Sequence, residues 1–195
     1  KETGVKIATS NGDVTINSID GDHDETVEIA AGSGAVSVGR IGGTNASGEG
    51  IKSVAITSTN TTGITLTGNI TTSDIADSDV TLTGKVVING DVDIDTSAGT
   101  DGDITFTSTI VGADGTNDDL ILDTGGGTLA FHSTTTIGAG DSPLSTLDIA
   151  QGGGTVALTI PQIGDASDDG VSGVTKVTGI TASGTGLVKT TNAGA

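Results

Sequence analysis

The sequence predicts an all-β fold: a parallel β-helix, or β-solenoid, of roughly eight coils that occupies residues 1–195 as a single domain. Three observations predict it. Short runs alternate aliphatic with small polar residues. These runs recur at intervals in the low-to-mid twenties. The core on offer is almost purely aliphatic, with 2 Phe and no Trp, Tyr, Met or Cys in 195 residues.

The alternation identifies the strands. Val14–Ile16, Val36–Val38, Ile64–Thr67, Val80–Thr83, Ile104–Thr107 and Val156–Thr159 each place a β-branched or aliphatic residue at every second position. A period of two with one apolar row is a strand with one face buried. Thr suits the other row, being polar and β-branched at once. Helical periodicity is absent.

Spacing orders the strands. GDVTINSIDG at 12–21 parallels GAVSVGRIGG at 34–43, an offset of 22 residues. Further anchors at Val80, Ile104, Leu129 and Val156 follow at 24, 25 and 27 residues. A second aliphatic follows most anchors, at Ile70, Val86, Ile110, Ile137 and Ile163, with Gly, Asn, Asp and Ser clusters between units. A loose period of this length is that of a solenoid whose corner loops vary. In DDLILDTGGGTLAF, residues 118–131, glycines 125–127 then mark a corner between two faces, not a hairpin. One coil cannot bury its apolar row alone, so neighbours must supply ladder hydrogen bonds and a shared aliphatic column. Eight coils rising about 4.8 Å each make a rod of roughly 40 Å. The alternative is an antiparallel sandwich, which also fits turn signals every 8–12 residues; the lack of large aromatics weighs against it.

Charge bounds the partners. Seven Lys and Arg against 25 Asp and Glu leave a net charge of -18. Phosphate polymers and anionic membrane surfaces meet a repulsive field, so no nucleic acid and no membrane insertion are expected. No apolar run approaches the roughly 18 residues of a spanning helix. The chain opens at Lys1 without Met or a hydrophobic leader, which reads as a processed mature chain or an excerpt of a longer one. The absence of Cys and Met leaves nothing easily oxidised, in keeping with an extracellular life.

The stretch 101–158, with its I-T-F-T strand, polar turn, L-x-L strand, glycine-rich corner and P-L-x-x-L step, resembles repeats of bacterial surface proteins of the filamentous-haemagglutinin-like kind. VVINGDVDIDTSAGTDGDITF at 86–106 has the same style, so the resemblance covers roughly 80–158 and the flanks loosely. It implies a right-handed winding and a secreted adhesin, fibrous stalk or surface protein. The family's secretion-signal domain is not visible in this sequence.

Carboxylates are the most prominent candidates for chemistry. Asp20, Asp22 and Asp24 alternate in DGDHDE, and hard oxygen ligands at that spacing suit Ca²⁺. They are the candidate calcium ligands, although the segment lacks the glycine and distal Glu of an EF-hand loop. Asp91, Asp93 and Asp95 alternate with Val92 and Ile94, which reads as the outer row of a strand. Further groups at Asp74, Asp77 and Asp79, at Asp114, Asp118 and Asp119, and at Asp165, Asp168 and Asp169 read as solvated corners. His23 and His132 have no second ligand at metal spacing, and Asn45, Asn60 and Asn69 stand in N-x-S/T triplets.

No nucleophile elbow or phosphate loop occurs, and a sugar-cleaving site would lack aromatic platforms. A non-enzymatic extracellular structural role is therefore expected, as a self-assembling filament subunit or an adhesin stalk. Head-to-tail self-association or continuation into a longer chain would close the rod's ends, since neither terminus shows a capping helix. The alternatives are a calcium- or ligand-binding adhesin module with a host or matrix ligand and, remotely, a β-helical polysaccharide-degrading enzyme.

Overall fold

A computed structural model of the chain describes residues 4–22, 24–43, 50–73, 76–98, 102–113, 118–132, 136–138 and 144–151, and the strands at 157–160, 180–183 and 187–190. All the regular structure described is β. In chain order the first coils hold β1 (Val5–Ala8), β2 (Val14–Ile19), β3 (Glu25–Ala30) and β4 (Val36–Ile41). Next come β5 (Ile51–Thr57), β6 (Ile64–Leu66), β7 (Ile70–Thr71), β8 (Val80–Thr83), β9 (Val86–Ile88) and β10 (Val92–Asp95). Then follow β11 (Ile104–Phe106), β12 (Ile110–Gly112), β13 (Asp119–Gly125), β14 (Leu129–Phe131) and β15 (Thr146–Gln151). The series closes with β16 (Ala157–Ile160), β17 (Ile180–Ser183) and β18 (Leu187–Thr190).

The strands pair across coils, not along the chain. One sheet runs β1-β3-β5-β8-β11-β14, and its six strands are separated by about five turns of the chain. Every register between named strands is parallel, as in Val80↔Ile104↔Leu129 and Val14↔Val36. This is a β-solenoid. The described residues account for about five turns against the roughly eight expected; beyond Gln151 they comprise only β16, β17 and β18, of which β17 pairs with β15 and β18 with β16. Val156 and Ile163 lie outside the described residues.

The coil changes shape along the rod. The first two coils have two faces, β1 with β2 and β3 with β4. In the third coil the partner of β4 splits: β6 takes Val36–Val38 and β7 takes Ile41. From there β6, β9 and β12 form a second face and β7, β10, β13, β15 and β17 a third. The bend falls at Gly68, where a Cβ would lie 2.9 Å from the Arg40 nitrogen below. Ile70 consequently stands on the ladder Ile41↔Ile70↔Ile94, while Val86 belongs to Ile64↔Val86↔Ile110.

Alternation explains the core. Inward rows such as Val27, Val54, Val80 and Ile104 are at most 1% exposed, and Phe106 stacks on Phe131 with ring centroids 5.5 Å apart. Each added coil buries the aliphatic row of the one before it.

The glycine-rich segment at 125–127 is a corner: β13 and β14, on either side of it, belong to different sheets. Thr72, Thr96 and Thr124 stack there, all buried. Their hydroxyls donate to the carbonyls of Ser78 at 3.0 Å, Gly102 at 2.7 Å and Gly127 at 3.2 Å. The backbones touch: a Cβ on Gly127 would lie 2.2 Å from the Gly102 carbonyl oxygen, and one on Gly102 2.2 Å from that of Ser78.

Candidate functional site

In-register stacking turns the polar half of each strand into a row of outward side chains, and the acidic residues meet in such rows. On the third face Asp95 stands opposite Asp123, Asp93 opposite Ile121, and Ile121 opposite Asp148. Val92 and Ile94 point inward at 2% and 0% exposure, so the aspartates between them form the outer row that alternation predicts. Asn69, Asp91, Asp93, Asp119 and Asp148 border a surface hollow of about 450 Å³ with the exposed Ile121 in it. One carboxylate oxygen each of Asp93 and Asp119 is shut off from solvent with no hydrogen-bond partner. Burial, and then the charges of Asp95 and Asp123, push the Asp93 carboxyl above its ordinary value of 3.8. The surface attracts cations in general; among the described residues no group of three His, Cys, Asp or Glu is placed to hold a metal ion.

The candidate calcium ligands lie between β2 and β3, and each has a separate contact. Asp20 is exposed and paired with the Arg40 guanidinium, whose hydrogen bond and charge hold its carboxyl below 3.8. The same guanidinium donates to the Gly42 carbonyl. Asp22 is exposed, and its N–H donates to Glu25 Oε2 at 3.0 Å. Asp24 takes a positive φ of 61° and receives the Ser73 hydroxyl at 3.5 Å. The residue between the last two, His23, lies outside the described residues, as do Asn45, Asp74, Asp114, Asp165, Asp168 and Asp169. His132 is exposed just after β14.

Other carboxylates clamp one coil to the next. Asp13 Oδ1 accepts the N–H of Ala35 at 2.8 Å, Asp79 that of Asp103 at 2.9 Å, and Asp103 that of Thr128 at 2.7 Å. Asn69 Oδ1 likewise accepts from the Asp93 N–H at 3.0 Å, and the Asn60 amide donates to the Ser33 carbonyl at 2.6 Å. Reading acidic clusters as solvated corners misses this role. Its signal is in the sequence: Asp13, Asp79 and Asp103 each immediately precede an inward Val or Ile. The Thr corner has a signal too, since Asp95-Thr96 and Asp123-Thr124 repeat at the ends of stacked strands.

Fold and geometry define the class, a parallel β-solenoid with an acidic outer surface. No family model, no curated protein and no solved structure matches the chain.

Proposed function

We propose that this chain is a non-enzymatic extracellular structural protein, a right-handed rod of roughly eight coils serving as a self-assembling surface filament subunit or an adhesin stalk segment. One observation supports the reading: every register between coils is parallel, so further coils would be added through contacts of a kind the rod already makes. Such a scaffold separates its ends and offers long flanks. The cell-surface location rests on the resemblance of 80–158 to secreted surface repeats and on the absence of Cys and Met.

Electron microscopy and sedimentation of the purified chain over a hundredfold concentration range test it. Fibres whose mass grows with concentration are expected of a filament subunit. A chain that stays monomeric throughout, without fibres, removes the self-assembling version. The same material tests calcium at Asp20, Asp22 and Asp24. A plain rod keeps its Tm when chelator is added, whereas a calcium-dependent rise in Tm would favour a calcium-binding adhesin module.

A further inference from the structure

We propose that the hollow on the third face of the rod docks a lysine side chain from a basic segment of another protein, its stem over Ile121 and its ammonium among the carboxylates of Asp93, Asp119 and Asp148. The inference concerns the flank of the rod and goes beyond the filament reading: it applies to a single rod as much as to a fibre.

The hollow offers apolar surface where a strand's outer row is normally polar. Leu120 and Leu122 point into the core, so Ile121 between them points outward. Its register partners are Asp93 on the coil before and Asp148 on the coil after. Ile121 is 39% exposed although both of those coils are in place, so stacking does not cover it. Val92 and Leu147 border the same hollow, whose volume of about 450 Å³ is ample for one long side chain.

Charge fixes the kind of occupant. One carboxylate oxygen each of Asp93 and Asp119 has neither water nor a hydrogen-bond partner, which leaves its desolvation uncompensated. The raised Asp93 carboxyl reflects the same deficit, with burial as its first cause. None of the described residues that border the hollow is basic, and the chain has 7 Lys and Arg for 25 Asp and Glu. The compensating charge is thus left to a partner. A bare metal ion fits poorly, because no three carboxylates among the described residues are placed to hold one and it would leave Ile121 uncovered. Lysine meets both needs: its aliphatic stem packs on apolar surface while its ammonium stays with the acids. Arginine's planar fork is suited to one carboxylate taken edge-on. Here Asp93 and Asp148 flank Ile121 on strands about 10 Å apart, two strand spacings, which favours a compact point charge between them.

The test measures, by fluorescence anisotropy at low salt, the binding of labelled peptides to the full chain. One peptide carries lysine between serines. In two controls norleucine keeps the stem without the charge, and diaminopropionate keeps the charge on a shortened stem. The lysine peptide is expected to bind about fivefold tighter than either control. Asp93→Asn and Asp119→Asn should each weaken it about threefold, whereas Glu28→Gln, which removes an equal charge on the first sheet, should change it less than about twofold. Ile121→Ser should weaken the lysine peptide about threefold and leave binding of the diaminopropionate peptide unchanged. Circular dichroism and Tm monitor folding. Should an Asn variant fail to fold, Ile121→Ser, outward and clear of the core, decides through that difference between peptides. Equal losses from Asp93→Asn and Glu28→Gln would mean attraction by net charge alone and overturn the site. Norleucine binding as tightly as lysine, or a wild-type chain that binds no peptide, overturns it too, and a tighter arginine peptide overturns the choice of lysine. None of these failures touches the filament reading, which concentration-dependent assembly decides separately.

Discussion

Val5 and Val54 stand two coils apart on one ladder, with the same side chain and the same inward direction, yet one is 38% exposed and the other 1%. The first coil is stacked on one side and the third on both. In a solenoid, then, burial comes from the neighbouring coils more than from the residue, and a strand's stability depends on its distance from a free edge. The polar corners follow the same rule. Thr96 and Thr124 lie in stacked corners and are fully buried, whereas Thr9, at the matching kind of turn in the first coil, remains partly open while donating to the Gly12 carbonyl at 2.7 Å.

The sharpest way to break this comparison is to cut one ladder at two heights. Ile7, Ile29, Ile56 and Leu82 are successive members of a single column. Ile56→Ala removes a side chain with 0% exposure and should cost about 3–4 kcal/mol. Ile7→Ala, at the open end, should cost about 1 kcal/mol or less. Urea unfolding of the two variants checks the ratio, and equal losses would mean that the first coil is covered in solution. Glycine corners provide a second cut. Gly102→Ala drives a Cβ to 2.2 Å from a backbone oxygen, whereas a Cβ at Gly12 meets its nearest atom at 3.7 Å. A loss of about 2–3 kcal/mol is expected at Gly102, and about 0.5 kcal/mol or less at Gly12. In Tm the Gly102 change amounts to a fall of roughly 4–12 °C.

The contrast between coils also explains what the sequence could and could not disclose. Val14 and Val36, or Val80, Ile104 and Leu129, can be set in register by counting, because each coil repeats an inward aliphatic at nearly the same step. The corner at 125–127 is legible for a related reason: Thr124 and the glycines stop one alternating run before another begins. The third face is not legible. Spacing alone places Ile70 with Val86, yet Ile70 falls on a different ladder because β4 is straight in one coil and its partner bends at Gly68 in the next. Alternation records which way a side chain points within a strand and carries no mark of a bend between strands. The acidic residues show the same limit. Composition reveals their excess, but only stacking separates Asp103, which clamps a neighbouring amide, from Asp93, which is crowded by other carboxylates.

That last difference yields the smallest effect and one whose sign can be worked out. Asp93 on the stacked third face has its carboxyl raised by burial and by Asp95 and Asp123, whereas Asp20 near the open end is lowered by Arg40. A raised acid binds its proton more tightly when folded. Its destabilising effect is present in full above the raised value, fades as pH falls from there toward 3.8, and is gone below that. A lowered acid behaves oppositely: its stabilisation is present above 3.8 and is lost as pH falls through the depressed folded value. Asp93→Asn should therefore raise Tm at pH 7 by about 1–3 °C, the scale of relieving opposed like charges, with the gain shrinking to nothing in acid. Asp20→Asn should lower Tm slightly at pH 7, and that loss should also vanish in acid. Thermal melts of both variants from pH 7 to pH 3 read the two signs. A fall in Tm for Asp93→Asn at pH 7 would show that its carboxylate is stabilised in solution, by a bound cation or an added hydrogen bond, and not strained by its neighbours.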